Sequence, residues 1–306
     1  MPKCMKCMEE YEKLDFCPYC GRKRDATAAY ENQIPNETIL NQRYIIGDAI
    51  RKDRIGFLYM AWDALLEQKV FIREWFPVRI SRRNTELLVA SECSKQIWNR
   101  MVKSFCMQMD NLHRHQDVTQ LLSIYRYFCE NNSAYAVMEY VEGMTLRDLL
   151  RRKNPLNLVE SENIMEKLKN AVKELHRNSI VHGNITPDNI FLCQDGDIKL
   201  LDPIWTDSIM DKIKNTLFWS RYVPAYYKEV PLSLSEEIDE YSMAAVFYRL
   251  LSGEEPYGVM SPEMEEKLPF ISEYGIAVSK QTEKEIMEKL RENNKSKKGF
   301  LSFLHI

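Results

Sequence analysis

No stretch of this 306-residue chain is apolar for long enough to cross a bilayer. Its opening residues, Met1-Pro2-Lys3-Cys4, lack the apolar run of a secretory signal, so the expected compartment is the cytoplasm. An excess of either charge is lacking too. With 42 Lys and Arg against 45 Asp and Glu, the formal net charge of -3 predicts no polyanion and no membrane partner. Disorder is excluded by composition: 45% hydrophobic and 28% charged residues are ordinary for a globular protein. The length suits one large two-lobed domain with a small appendage.

What is present begins with cysteine. Of eight cysteines, Cys93, Cys106, Cys129 and Cys193 are scattered through apolar segments and read as small buried hydrophobes. Cys4, Cys7, Cys17 and Cys20 cluster instead as C-x2-C, nine residues, C-x2-C. Each pair sets two thiolates on one side of a tight turn, and two such turns complete a tetrahedron around zinc. Pro18 and Gly21 suit the sharp turn of the second knuckle. A redox dithiol would need only one of the two pairs. Residues 1–24 are too few to bury a core, so the metal would supply the folding energy, on the order of 10 kcal/mol. With four protein ligands and no open position, the zinc is structural. The basic residues Lys3, Lys6, Lys13, Arg22, Lys23 and Arg24 are largely offset by Glu9, Glu10, Glu12 and Asp15, which favours protein docking or spacing over nucleic-acid binding. Residues 25–40 are polar, carry Pro35, show no periodicity, and read as a linker.

From position 41 the pattern is β-rich, then helical. Strands are predicted at 44–50, 57–63 and 69–75, followed by a helix over 91–112 with Ile97, Met101, Phe105 and Met109 inward. Two more strands, 121–129 and 134–141, flank an Asn131-Asn132 turn. Ser161 is the expected cap of a helix carrying Ile164, Leu168, Val172 and Leu175 on one face. A hairpin around Asp195-Gly196 and a helix over 237–251, stopped by Gly253, complete the pattern. The fold class is α+β: a β-rich first lobe (41–138), a hinge (139–143) and a helical second lobe (144–306).

The run Val181-His182-Gly183-Asn184-Ile185-Thr186-Pro187-Asp188-Asn189, followed by Ile198-Lys199-Leu200-Leu201-Asp202, resembles the protein-kinase catalytic loop and its metal-binding aspartate. Residues 44–63 resemble the phosphate-loop hairpin, 69–77 the third strand, 137–143 the hinge, and 238–243 the central helix of the large lobe. Arg73-Glu74-Trp75-Phe76-Pro77 is similar to a bacterial group of serine/threonine kinases that also begin with a zinc ribbon. The resemblance implies a two-lobed kinase-like fold from Arg43 onward.

Set against that resemblance, the departures are extensive. Where the family has three phosphate-loop glycines, this chain has Arg51, Asp53 and Gly56, so a carboxylate stands beside the place of the phosphates. Arg51 and Arg54 bring charge but do not rebuild an amide cradle. Val70-Phe71-Ile72-Arg73 replaces Val-Ala-Ile-Lys, and the planar Arg73 is a poor substitute for the phosphate-holding lysine. The resemblance sets Phe71 over the adenine position, so it either fills that pocket or turns into the lobe core; filling is the favoured reading. Gln108 falls where the lysine's glutamate partner is expected. Asn184 replaces the catalytic aspartate, a loss of general base worth about 10²- to 10⁴-fold. Gly183 and Thr186 replace an arginine and a lysine, and His182 keeps a structural place. Asn189 and Asp202 are the family's magnesium pair, retained as metal ligands or as hydrogen-bonding anchors, with Pro203 in place of the usual phenylalanine. Tyr226 stands for the glutamate that ends the activation segment. Its arginine partner is also missing between 286 and 306, while Asp239 is kept to hold the loop backbone.

The expected function is a pseudokinase, a regulatory module that binds a protein partner in signalling. A residual ATP-dependent serine/threonine kinase is the alternative, and a zinc-ribbon adaptor with a scaffold kinase fold the second. Zinc is the expected cofactor; ATP with magnesium is doubtful. Residues 293–306 show no clear closing helix, and the expectation there is either a shortened large lobe or a chain cut short.

Overall fold

A computed structural model describes residues 2–12, 14–77, 81–84, 87–203, 220–224, 235–257 and 268–291. They form two compact units. One holds the described residues up to Asp117 together with Ser123–Tyr140; the other holds Val118–Leu122 and the described residues from Val141 on.

The first unit is built on an antiparallel sheet in the order β1-β2-β3-β4-β8-β7. Its strands are β1 (Ile39–Leu40), β2 (Tyr44–Lys52), β3 (Gly56–Asp63), β4 (Gln68–Trp75), β7 (Ile124–Glu130) and β8 (Ser133–Glu139). The short pair β5 (Ser81–Arg83) and β6 (Val89–Ser91) stands apart. The β7–β8 turn holds Asn131 and Asn132 at φ 52° and 55°, the two left-handed residues that a tight hairpin needs. Strand β2 is not regular. Ile46 pairs with Ala61 and Arg51 with Leu58, so five steps along β2 are matched by three along β3, with the shifts on either side of Ala49. These β-bulges leave the backbone around Gly47 and Asp48 free of the ladder.

Helix α1 (Lys95–His113) covers this sheet and is capped by Ser94, whose hydroxyl accepts from Ile97 N. Its inward face is Trp98, Met101, Ser104, Phe105, Gln108 and Met109. Ile97, expected inside, is 43% exposed, and Trp98 takes its place at 2%. Met101, Phe105 and Met109 are buried as expected; only in the first turn does the larger Trp98 ring claim the core in place of Ile97, and its Nε1 donates to Asn132 O at 2.8 Å.

Residues 25–40 differ from the expected linker. Ile34 and Leu40 are fully buried. Ile34 N donates to Tyr59 Oη at 2.9 Å, and Arg83 donates to both the side chain and the carbonyl of Asn32. Polarity misleads here because part of this segment bonds to the lobe. These bonds join a buried network in which the Glu74 carboxylate accepts from Tyr59 Oη (2.9 Å), Tyr135 Oη (3.1 Å) and Arg83 Nη2 (2.5 Å). Burial pushes the Glu74 carboxyl up, and Arg83 and the tyrosines pull against that shift.

The second unit is mainly helical, with a three-stranded sheet in the order β11-β10-β9. Strands β9 (Gly143–Thr145), β10 (Ile190–Cys193) and β11 (Ile198–Leu200) are joined by α2 (Leu146–Arg152) and α3 (Leu158–Arg177). Leu121 and Leu122, expected at the start of a strand, bond instead to Leu200 of β11. The cap of α3 is Asn157, closed with Glu160 as a reciprocal capping box, and Ser161 is buried one turn inside. Helix α4 (Glu236–Ser252) is buried on nearly every side, with Ile238, Tyr241, Val246, Tyr248 and Leu251 in the core. It stops at Gly253, φ 78°. A 3₁₀ turn (Ile271–Tyr274) and α5 (Lys280–Arg291) pack beside it. Among the described residues no helix is long and apolar enough to cross a membrane.

Candidate functional site

The four N-terminal cysteines meet. Their sulfurs all lie within 4.8 Å of one another, with Cys4–Cys20 at 3.5 Å and Cys7–Cys17 at 3.6 Å. Both knuckles are built alike: Met8 N donates to Cys4 O at 2.8 Å and Gly21 N to Cys17 O at 2.9 Å. The fifth residue of each is left-handed, Met8 at φ 58° and Gly21 at φ 68°. Burial raises the Cys17 thiol, but the amides of Cys20 and Tyr19 overcome this and hold it at about 7. Burial pushes the Cys7 and Cys20 thiols up. Four soft sulfur donors in a closed set fit zinc, with no position left for water or substrate.

On β4, Phe71 and Arg73 lie on one face of the strand, since side chains alternate, and Ile72 and Glu74 on the other. Phe71 is buried and packs edge-on against Tyr140, with centroids 5.2 Å apart. Arg73 is 1% exposed, and its Nη2 donates to both oxygens of Asp53, at 2.8 and 2.7 Å. Arg51 Nε lies 3.0 Å from the same carboxylate. Asp53 Oδ1 also accepts from the backbone amides of Ile55 (2.9 Å) and Gly56 (3.2 Å). Burial opposes the charge on Asp53, but Arg73 and Arg51 outweigh it and hold the carboxyl below the usual range. Loop amides and a strand cation thus converge on an anion that the chain itself provides.

Gly56 has a different task from the one the sequence suggested. At φ 152° its Cα lies so close to β4 that a Cβ would sit 2.2 Å from Glu74 O and 2.6 Å from Phe76 N. Close strand packing explains this glycine without any phosphate. Gln108 is buried on α1, and no carboxylate occupies its position.

In the second unit, Asp239 of α4 organises the loop at 182–189. Its carboxylate accepts from His182 N (2.8 Å), Gly183 N (2.7 Å) and His176 Nε2 (2.9 Å). His182 is fully buried, and burial lowers its pKa. Its Nδ1 accepts from Asn184 N at 3.2 Å, which makes it a neutral, structural ring. Asn184 Nδ2 donates to Asp202 O at 2.9 Å, and Asn189 Nδ2 donates to Asn184 O at 2.9 Å. Leu201 N closes the circuit on Asn189 O. Asn184, Asn189 and Asp202 are therefore brought together, with Asn184 acting as a tie between two backbone segments. Asp202 itself is left-handed at φ 51°.

Tyr226 and residues 293–306 lie outside the described residues. Sequence reasoning missed an ion cluster on Glu255, which accepts from Arg147 Nη1 (2.5 Å) and Tyr222 Oη (2.7 Å) and lies 3.2 Å from Arg249 Nε. Arg147 also reaches Asp188 at 3.1 Å. The partners come from four distant stretches of chain and share no motif.

A family described as the protein kinase domain matches residues 81–305. The serine/threonine-protein kinase PrkC of Bacillus subtilis is 28% identical over 222 residues, 71% of this chain and 32% of that protein. The probable serine/threonine-protein kinase PknB of Bifidobacterium longum is 33% identical over 129 residues, 40% of this chain and 19% of its own length. The chain thus spans about a third or less of these relatives. A solved structure titled "PpkA-294 apo form" superposes with a TM-score of 0.70 at 23% identity, covering 85% of this chain and 93% of the other.

Proposed function

The chain belongs to the protein kinase family, and from that premise we propose that its kinase domain is a pseudokinase, a binding and regulatory module in signalling that does not transfer phosphate. One observation carries this reading: the loop amides and the strand cation that a kinase turns toward phosphate are taken by the Asp53 carboxylate. A triphosphate arriving at this loop would have to displace an anion already held by Arg73, while bringing its own negative charge against Asp53. These residues do not fit ATP.

The loss of the base points the same way. An amide orients a hydroxyl but takes no proton from it, and Asn184 spends its amide on Asp202 O. Against these stands one observation that favours a residual kinase: Asn189 and Asp202 are both retained and are tied together through Asn184 and Leu201.

We assign a structural zinc to Cys4, Cys7, Cys17 and Cys20. When bound it supplies cross-linking and charge neutralisation for four thiolates, and no catalysis. The partner we propose is a protein, met in the cytoplasm; the balanced charge argues against nucleic acid and membrane.

Thermal unfolding with and without ATP and magnesium tests the reading. A ligand at a hundred times its Kd stabilises by about 2.7 kcal/mol. No change in melting temperature is the expected result, and a clear rise would overturn it.

A further inference from the structure

The cysteine knuckles rest against the β2 bulge, and one residue there, Asp48, receives a group from each. From the first knuckle, Met5 O lies between two of the cysteines in sequence and accepts from Asp48 N at 2.6 Å. From the second, Arg22, two residues past Cys20, clamps the Asp48 carboxylate with Nε at 2.5 Å and Nη2 at 2.8 Å. Asn36 Nδ2 adds a third bond to that carboxylate at 2.7 Å.

The strand is adapted to this contact. A Cβ on Gly47 would lie 2.2 Å from both Met5 O and Met8 Cε, so only glycine lets the knuckle approach. The two register shifts around Ala49 release the Asp48 amide from β3, and Met5 O then uses it. Two further contacts fix the orientation: Lys3 Nζ lies 3.5 Å over the Trp62 ring of β3, and Glu9 pairs with Lys69 of β4. Asp48 lies five residues before Asp53 on the same strand and loop.

We propose that the ribbon is an internal brace whose metal occupancy sets the state of the phosphate-position loop, and that this loop is a zinc-linked switch. The proposal rests on the zinc assignment above. Zinc orders both knuckles at once, which places Met5 O and Arg22 together at Asp48. That pins the bulge and holds Asp53 against Arg73. Without metal, the knuckles have almost no apolar core of their own beyond Tyr11 and the cysteines. Both groups then lose their position, the bulge regains its freedom, and the Asp53 loop opens.

Hydrogen exchange on the full chain tests this, with zinc content measured on the same samples. On chelation, amides at 49–56 should exchange about tenfold faster while those of α4 stay unchanged. The variants Asp48→Ala and Arg22→Ala should retain one zinc yet show the fast exchange at 49–56 before any chelator is added. They also decide the case if chelation unfolds the wild type everywhere. Zinc present with wild-type exchange in both variants overturns the coupling alone. Absence of zinc from protein purified without chelator overturns the metal assignment and the coupling with it.

Discussion

A carboxylate at position 53 is costly in a loop that receives phosphate and useful in one that does not. Arg73 is too deeply buried to stand alone, and Asp53 supplies its countercharge. Removing one member of such a pair leaves the other uncompensated, whereas replacing both with apolar groups is often neutral. Asp53→Asn should therefore cost about 3 kcal/mol in urea unfolding, and Asp53→Leu with Arg73→Met should recover most of it. An additive double variant would mean the two residues do not act together. At this scale the sequence was half legible. It showed Asp53 and Arg73 as misfits in a phosphate site, one by one. It did not show that they answer each other, because side chains 20 residues apart are paired only by the strand register and the loop's turn.

Strands were legible as short β-prone runs between turns even where both faces are buried. The β3, β4 and β8 strands, the β10–β11 hairpin and the stop at Gly253 all follow from period and turn chemistry. The signals that misled were local: Ile97, expected inward, yields to its neighbour Trp98, and Ser161, expected as cap, lies inside a helix capped by Asn157. The β2 bulges left no mark in the sequence, since a bulge is a relation between two strands. The contact between α3 and α4 has a pH dependence that follows from its charges. His176 bonds to Asp239, with Glu236 at 3.3 Å and Glu240 also nearby; these acids raise its pKa above the ordinary 6.5 against the opposing effect of burial. A group whose folded pKa lies above its unfolded one adds stability that is complete below the unfolded value and lost as pH rises through the folded value. The melting temperature of His176→Gln, which keeps a donor and removes the charge, should fall furthest below wild type at pH below the ordinary 6.5 and converge with it as pH rises through the raised folded value. A constant gap across that range would show that the charge contributes nothing.

For the whole molecule, family membership was legible from one loop, and the proposed loss of phosphoryl transfer only from several places together. Restoring a single residue should therefore restore nothing. Asn184→Asp returns the base, but Arg73 and the loop amides stay with Asp53, and Phe71 stays packed on Tyr140. Transfer of labelled phosphate from ATP to a generic protein substrate should stay at background for this variant. Measurable transfer would mean that the missing base was the one obstacle.

Ile34 gives its amide to Tyr59, whose hydroxyl in turn donates to the buried Glu74. The family match begins at residue 81 and the motif resemblance at Arg43, yet this chain of bonds starts at Ile34. A gene fragment trimmed to either of those starts would strand a buried phenol and leave the space under Ile34 empty. For anyone cutting this protein into pieces, the smallest portion that keeps its first lobe intact starts upstream of both of those boundaries.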